Sequence, residues 1–194
     1  MSVMTDESGT HSRKHERRLT VRDLEDMPDD GNRYELIDGE LYVSPAPGRS
    51  HQKIVYGLYA RLDAACPPHL DVLGAPFAVQ LNFEIEVQPD VLVAPLDEVT
   101  EKNLPGPPLL AVEVLSPSTA VTDLNKKKRT YQRHGVPNYW VIDPLEPSLI
   151  AFELDETGRY QTIAEVVGDK PFEATQPFPV RIVLTELLGR FANL

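Results

Sequence analysis

The sequence predicts an α/β domain with a mixed β-sheet, flanking helices and an N-terminal β-hairpin. Residues 109–115 and 139–142 are short apolar runs typical of buried strands. The helical segment between them, 123–134, is long enough to connect two parallel strands. Near the N-terminus, Asp38-Gly39 separates two strand-like segments, and this dipeptide favours a tight antiparallel turn. A sheet that contains both kinds of connection is mixed.

The elements of the first third follow in chain order. A short helix is predicted over 19–27, with Thr20 as its N-cap, and the hairpin strands are predicted over 34–37 and 40–43. Residues 50–66 form an amphipathic helix whose first serine is placed to cap the first turn. Its apolar positions recur at spacings of four, four and three, and they are Ile54, Leu58, Leu62 and Ala65.

The later elements are mostly strands. Segments 71–81 and 83–94 have strand character and are separated by little more than one residue, which predicts an antiparallel pair. Thr122 is placed to cap the crossover helix. Segments 148–154 and 159–166 are two further strands, joined by a polar turn.

Composition indicates a soluble single-domain protein. With 194 residues, 41% hydrophobic and 25% charged, the chain can bury one sizeable core. We expect a polar tail over 1–18, either a solvated extension or a nucleic-acid contact, and one domain over 19–194. The single Cys66 and the absence of a bilayer-length apolar run predict a cytoplasmic location. A net charge of −11 disfavours a broad polyanion-binding surface but allows a local basic or metal-neutralised patch.

Two carboxylates occupy apolar strands. Glu113 lies inside the run 109–115, and Asp90 lies inside the strand-like segment 87–93. A buried ionised carboxylate is costly unless a cation meets it. Three interpretations follow: a hard divalent cation such as Mg²⁺ lies between the carboxylates, each carboxylate is paired with a buried Lys or Arg, or the carboxylates lie on the exposed face of an edge strand.

Several motifs, in this order and spacing, resemble the Uma2 family. They are residues 34–41 (YELIDGEL), 88–91 (QPDV), 113–119 (EVLSPST), Asp123 with Lys127 and Tyr131, and 135–144 (GVPNYWVIDP). The resemblance covers roughly residues 19–190. It implies a restriction-endonuclease-like fold of the PD-(D/E)xK superfamily and a metal-dependent endonuclease that cleaves nucleic acid. The expected substrate is DNA, and the expected cofactor is Mg²⁺, with Mn²⁺ as a substitute.

The resemblance also assigns metal ligands. Asp90 and Glu113 match the superfamily's acidic pair, and the carbonyl of Val114 is a further expected ligand. The superfamily lysine, two positions after the second acid, is replaced here by Leu115. The resemblance places this lysine on the next helix, at Lys127.

Helical spacing is consistent with that displacement. Asp123, Lys127 and Tyr131 are four residues apart and lie on one face of the predicted helix. Without the resemblance, the pattern favours a solvated basic run over 126–129 as the interpretation of Lys127. The neighbouring cations form a candidate phosphate-contacting patch in an otherwise acidic protein, and they are Lys126, Lys128, Arg129 and Arg133.

Other residues can be interpreted as structural or as functional. Glu35 is an additional catalytic acid or an exposed carboxylate on a strand, and His51 is an accessory site residue or an ordinary helix N-terminal residue. Tyr131 and Trp140 are expected to pack against the sheet rather than to stack on bases. Residues 117–119 are expected to shape the loop after the strand that carries Glu113.

The predicted reaction is metal-assisted phosphodiester hydrolysis, in which Lys127 orients the attacking water. Two alternatives remain. One is a catalytically inactive nuclease-fold module that binds or regulates, and the other is a hydrolase of smaller phosphate esters. By analogy with endonucleases that cut both strands, the chain is expected to form a homodimer.

Overall fold

The structure is a computed structural model that describes residues 17–116 and 122–189. Within these residues the chain forms four helices and thirteen strands. The helices are α1 (Val21–Leu24), α2 (Arg49–Ala65), α3 (Thr122–Arg133) and α4 (Leu184–Leu188). The strands are β1 (Arg33–Ile37), β2 (Glu40–Ser44), β3 (Leu70–Gly74), β4 (Ala78–Asn82), β5 (Ile85–Val87), β6 (Val91–Pro95), β7 (Asn103–Leu104), β8 (Leu110–Val114), β9 (Asn138–Asp143), β10 (Ser148–Leu154), β11 (Tyr160–Val167), β12 (Phe172–Ala174) and β13 (Val180–Ile182). The predicted α/β class is confirmed.

A large sheet of six strands has the order β11-β10-β9-β8-β6-β3. Strands β8 and β9 are parallel and are connected through α3, whereas their neighbours in this sheet pair antiparallel. The sheet is therefore mixed, as predicted. β8 and β9 are buried along almost their whole length, which explains their continuous apolar sequences.

A small sheet of five strands has the order β2-β1-β5-β4-β7 and contains the predicted hairpin. At the hairpin turn, Asp38 has φ 54° and Gly39 has φ 75°. Two successive positive φ angles match the twist of tightly paired strands, which is why the Asp-Gly dipeptide predicted this turn correctly.

The two long strands predicted over 71–81 and 83–94 are each divided in two. β4 and β5 pair antiparallel in the small sheet as expected, but β3 and β6 pair with each other in the large sheet. Pro76 and Pro89 lie in the gaps, where a residue without a backbone N–H interrupts the ladder. After the second gap, the chain re-enters the large sheet at Val91, immediately after Asp90.

Helix α2 begins one residue earlier than predicted. Its N-cap is Gly48, and no side chain caps the first turn, so the expected capping by Ser50 is wrong. Gly57 lets this helix approach α4 closely, since a Cβ atom there would lie 3.0 Å from the carbonyl oxygen of Leu187. The C-terminal elements β12, β13 and α4 were not predicted from the sequence.

Apolar side chains form two cores on opposite faces of the large sheet. The first, which we call the α2 core, contains Val112 and Val114 together with apolar residues of α2 and α4. The second, which we call the inter-sheet core, contains Leu92 and Ala111 together with residues of the small sheet and Tyr131 of α3. Because side chains alternate along a strand, Asp90 and Glu113 face the inter-sheet core.

Ion pairs hold the first described residues against the domain. Residues 1–16, most of the predicted tail, lie outside the described residues. Arg17 forms an ion pair with Asp23, and Arg18 forms one with Glu84. Among the described residues, no helix has both the length and the apolar character needed to cross a membrane.

Candidate active site

Asp90 comes immediately before β6 and lies beside Glu113 of β8, the neighbouring antiparallel strand. Val91 of β6 is opposite Val112 of β8, so Asp90, one residue earlier, lies opposite Glu113. Directly opposed residues point to the same face of a sheet. Both are buried, with 2% of Asp90 and 8% of Glu113 exposed. The structure therefore brings the predicted acidic pair together.

Asp90 is held by three contacts. Its Oδ1 accepts a hydrogen bond from Arg33 Nη1 at 2.9 Å, and its Oδ2 accepts one from the backbone N–H of Val114 at 2.8 Å. His51 Nε2 lies 3.1 Å from the same Oδ2. Burial raises the pKa of Asp90, but the hydrogen bond from His51 and the charge of Arg33 outweigh it and lower that pKa to about 2. Asp90 is therefore ionised at neutral pH.

Glu113 is held by two residues of α3. Its Oε2 accepts a hydrogen bond from Lys127 Nζ at 3.1 Å, and its Oε1 accepts one from the Tyr131 hydroxyl at 2.8 Å. Lys127 is only 7% exposed, so it is not part of a solvated basic run. Lys127 and Tyr131 are four residues apart, which places both side chains on the helix face that meets Glu113.

Lys127 also contacts Glu35, which belongs to the small sheet. The Nζ atom lies 2.8 Å from Glu35 Oε1, and the same oxygen accepts a hydrogen bond from the backbone N–H of Gln88. Glu35 is buried, so it is not an exposed strand carboxylate. Lys127 thus links a carboxylate of each sheet.

The site contains more carboxyl groups than cationic side chains. Three buried acidic residues (Glu35, Asp90 and Glu113) face two cations (Arg33 and Lys127). Burial, together with the charges of Asp90 and Glu35, raises the pKa of Glu113 to about 7, although Lys127 opposes this shift. Burial lowers the pKa of Lys127, but the two carboxylates beside it more than compensate, so its pKa lies above the ordinary value. A further cation bound beside Glu113 would favour its ionised form.

Sequence reasoning missed two residues of this cluster. Arg33 was not singled out, although it lies two positions before Glu35 and so on the same face of β1. Tyr131 was assigned a packing role, and it is indeed fully buried, but its hydroxyl also reaches Glu113. Its spacing of four residues from Lys127 was the available signal. Trp140 packs edge-on against Phe172, as expected of a core residue.

The predicted phosphate-contacting patch lies outside this cluster. Lys126 is paired with Glu40 and Arg133 with Asp38, so both cations are tied to the hairpin. The Lys128 ammonium lies 3.4 Å from the centre of the Phe152 ring. Arg129 is exposed and donates to the carbonyl of Asn125 on its own helix. The side chain of Asp123 and the loop 117–119 lie outside the described residues.

The donors at the site suit a hard divalent cation. Among residues 17–116 and 122–189, no group of three or more His, Cys, Asp or Glu side chains is arranged to hold a metal ion. Mg²⁺, however, is usually bound through one or two carboxylates and retains several waters. Among the described contacts, Asp90 Oδ1 and both oxygens of Glu113 each accept one hydrogen bond. Because a carboxylate oxygen has two lone pairs, these three oxygens retain donor capacity for a metal.

A cleft of about 620 Å³ opens beside the buried cluster. Arg33, His51 and Asp90 lie on its wall. The cleft continues between the N-terminal part of α2 and the first residues of β1. It gives the otherwise buried Asp90 a route to solvent.

Comparisons with known proteins agree with this fold. The fold is similar to that of a solved protein described as "Crystal structure of a putative nuclease belonging to DUF820 from Anabaena variabilis ATCC 29413 at 1.96 A resolution". The TM-score between the two structures is 0.67, and their sequences are 18% identical. The match covers 88% of this chain and 97% of that chain, and at this identity it establishes the fold. No curated protein matches the sequence. Residues 21–186 match the Uma2 family, described as "Putative restriction endonuclease", and the chain therefore belongs to the Uma2 family.

Proposed function

We propose that this protein is a metal-dependent endonuclease that hydrolyses phosphodiester bonds of DNA. One observation carries the proposal: two opposed strand carboxylates, Asp90 and Glu113, lie in a buried cluster with Lys127 and beside an open cleft. Membership of a restriction-endonuclease-like family supports the nuclease activity.

The metal ligands in this proposal are the carboxylates of Asp90 and Glu113 and the carbonyl of Val114. The bound ion is Mg²⁺, with Mn²⁺ as a substitute. Such an ion polarises the phosphate and lowers the pKa of a coordinated water. Three acidic side chains against two cationic ones, and the remaining lone pairs on three carboxylate oxygens, support this assignment.

The remaining residues position these groups. Among the described contacts, Lys127 meets Glu35 and Glu113, which leaves one of its three N–H groups to orient the attacking water and to stabilise negative charge on the phosphate. Tyr131 fixes the orientation of Glu113. Arg33 lies on the cleft wall, where its guanidinium can contact a phosphate oxygen of the entering strand.

A second candidate function is a nuclease-fold module that binds nucleic acid without cleaving it. The contacts of Asp90 favour it, because Arg33, His51 and the Val114 N–H already meet both of its oxygens. In such a protein the carboxylates would be compensated by cations of the chain instead of a metal. The two functions differ in whether a divalent ion binds and whether a strand is cut.

The nuclease proposal is tested with plasmid, linear and single-stranded DNA and with RNA, each incubated with Mg²⁺, Mn²⁺ or EDTA. We expect metal-dependent cleavage of DNA by wild type, and a rate at least about 100-fold lower for Lys127→Ala. Lys170→Ala is the matched control because Lys170 is an exposed surface residue. Absence of cleavage on every substrate, or equal cleavage by Lys127→Ala, contradicts the proposal.

Three narrower expectations belong to the same proposal. DNA is preferred over RNA, the active form is a homodimer, and the protein works in the cytoplasm. The first is tested by the substrate panel above. Sedimentation at several protein concentrations tests the second, since a homodimer gives twice the mass of the 21.7 kDa chain.

A further inference from the structure

The cleft beside Asp90 is larger than a single phosphate needs. Its volume is about 620 Å³, which lies within the roughly 300–1,000 Å³ that is typical of sites for small organic ligands. Much of its wall is apolar and rigid, formed by Leu24, Met27, Val55, Pro28, Pro45 and Pro76. A flat apolar group therefore suits it better than a strongly hydrated anion.

Aromatic and amide side chains also line the cleft. Tyr56 of α2 is 68% exposed, which is unusual for a large ring, and Tyr34 of β1 contributes a second ring. Amide groups come from Asn32, Gln52 and Gln88. In the described part of the chain, Gln88 Oε1 is buried without a hydrogen-bond partner. Aromatic faces and amide groups are the side chains that stack on bases and pair with their polar edges.

The cleft wall carries side chains of both charges. Arg33 and His51, both on this wall, contact Asp90. The wall also carries the carboxylates of Asp29 and Glu86. Carboxylates repel a phosphate, but they can accept hydrogen bonds from the amino group of a base. The cleft is therefore unsuited to a run of phosphates along its whole length.

We propose that this cleft is a nucleobase pocket, which holds one base of the substrate strand next to the phosphodiester that is cut. The proposal rests on the proposed nuclease function and specifies how its substrate is held. A base reaches the pocket from a single strand or after it leaves the stack of a duplex. Tyr56 provides the stacking surface, and the amides of Gln52 and Gln88 contact the polar edge of the base.

The test measures binding without cleavage. Deoxynucleoside 5′-monophosphates and 2-deoxyribose 5-phosphate are titrated into the full-length protein by calorimetry, so that the two probes differ only in the base. We expect the nucleotide to bind about tenfold more tightly, since stacking on an aromatic side chain supplies a gain of this order. Tyr56→Ala should remove this preference, and Tyr56→Phe should retain it because the ring remains.

Phe83→Ala is the matched control. Phe83 is also 68% exposed, but it lies in the turn between β4 and β5 and does not line the cleft. This variant should keep the wild-type preference for the nucleotide. Equal affinity for the two probes, no binding of either, or an unchanged preference in Tyr56→Ala overturns the pocket.

Failure of the pocket and failure of the nuclease activity are separate results. Cleavage by wild type without a preference for the base-containing probe overturns the pocket and leaves the nuclease. A base preference without cleavage of any substrate overturns the nuclease and leaves a nucleotide-binding site.

Discussion

Replacing Lys127 with methionine should strongly destabilise the metal-free protein. The ammonium is buried and lies within 2.8 Å and 3.1 Å of the oxygens of Glu35 and Glu113. Methionine fills a similar volume, so the main effect is the loss of the positive charge between two carboxylates. Removing one partner of a buried ion pair costs about 3–5 kcal/mol of the free energy of unfolding.

The loss is measurable because it is smaller than the stability of most domains. Urea unfolding in EDTA gives the free energy, and with a slope of about 2 kcal/mol per molar urea the midpoint should fall by about 2 M. Lys170→Met is the control, since an exposed lysine should change the free energy by less than about 0.5 kcal/mol.

A companion variant distinguishes loss of charge from loss of packing. In the Lys127→Met background, Glu35→Gln removes one of the two carboxylates that have lost their cation. We expect it to restore about 1–3 kcal/mol, whereas in the wild-type background the same change should destabilise the protein. A fall of less than about 1 kcal/mol in Lys127→Met would refute the reasoning, because it would place Lys127 in solvent.

Three further predictions concern the same site and its surroundings. Calorimetric titration with Mn²⁺ should show one binding site, and Asp90→Ala or Glu113→Ala should weaken its affinity at least about tenfold. Glu156→Ala, at an exposed position, should leave the affinity unchanged. Unchanged affinity in both Asp90→Ala and Glu113→Ala would refute the proposed metal ligands. Tyr131→Phe should cost about 1.5–3 kcal/mol in urea unfolding, and cleavage should slow as well; unchanged stability would contradict its hydrogen bond to Glu113. Arg133→Ala should change the free energy of unfolding in urea by less than about 1 kcal/mol, since the ion pair of Arg133 with Asp38 is exposed. A larger loss would contradict the small contribution expected of this pair.

Local chemistry drew attention to Glu113, whereas the choice of Lys127 depended on the family resemblance. Glu113 was identifiable because a carboxylate in a continuous apolar run needs a partner, and the structure supplies Lys127 and Tyr131. The helical period then separates Lys127 from its neighbours Lys126 and Lys128, which point elsewhere. The fold class and the hairpin were predictable for the same reason, since turn residues and apolar period are local properties.

Contacts between distant segments were not predictable in this way. Arg33 meets Asp90 from 57 positions away, and this contact depends on how the two sheets are placed. The strand breaks at Pro76 and Pro89 had a visible signal, but the sequence does not say that the chain changes sheets there. The small C-terminal strands and α4 are short, and their stability comes from packing on α2.

The position of Lys127 between the two sheets has a consequence for mutations far from the site. Glu35 belongs to the small sheet and Glu113 to the large one, and Arg33 of the small sheet holds both Asp90 and the carbonyl of Gln88. The side chains proposed for catalysis thus also fasten one sheet to the other. A core substitution that slides the sheets by a fraction of an ångström would disturb this alignment while the protein stays folded. Screens for activity should therefore detect inter-sheet core variants that thermal melting does not.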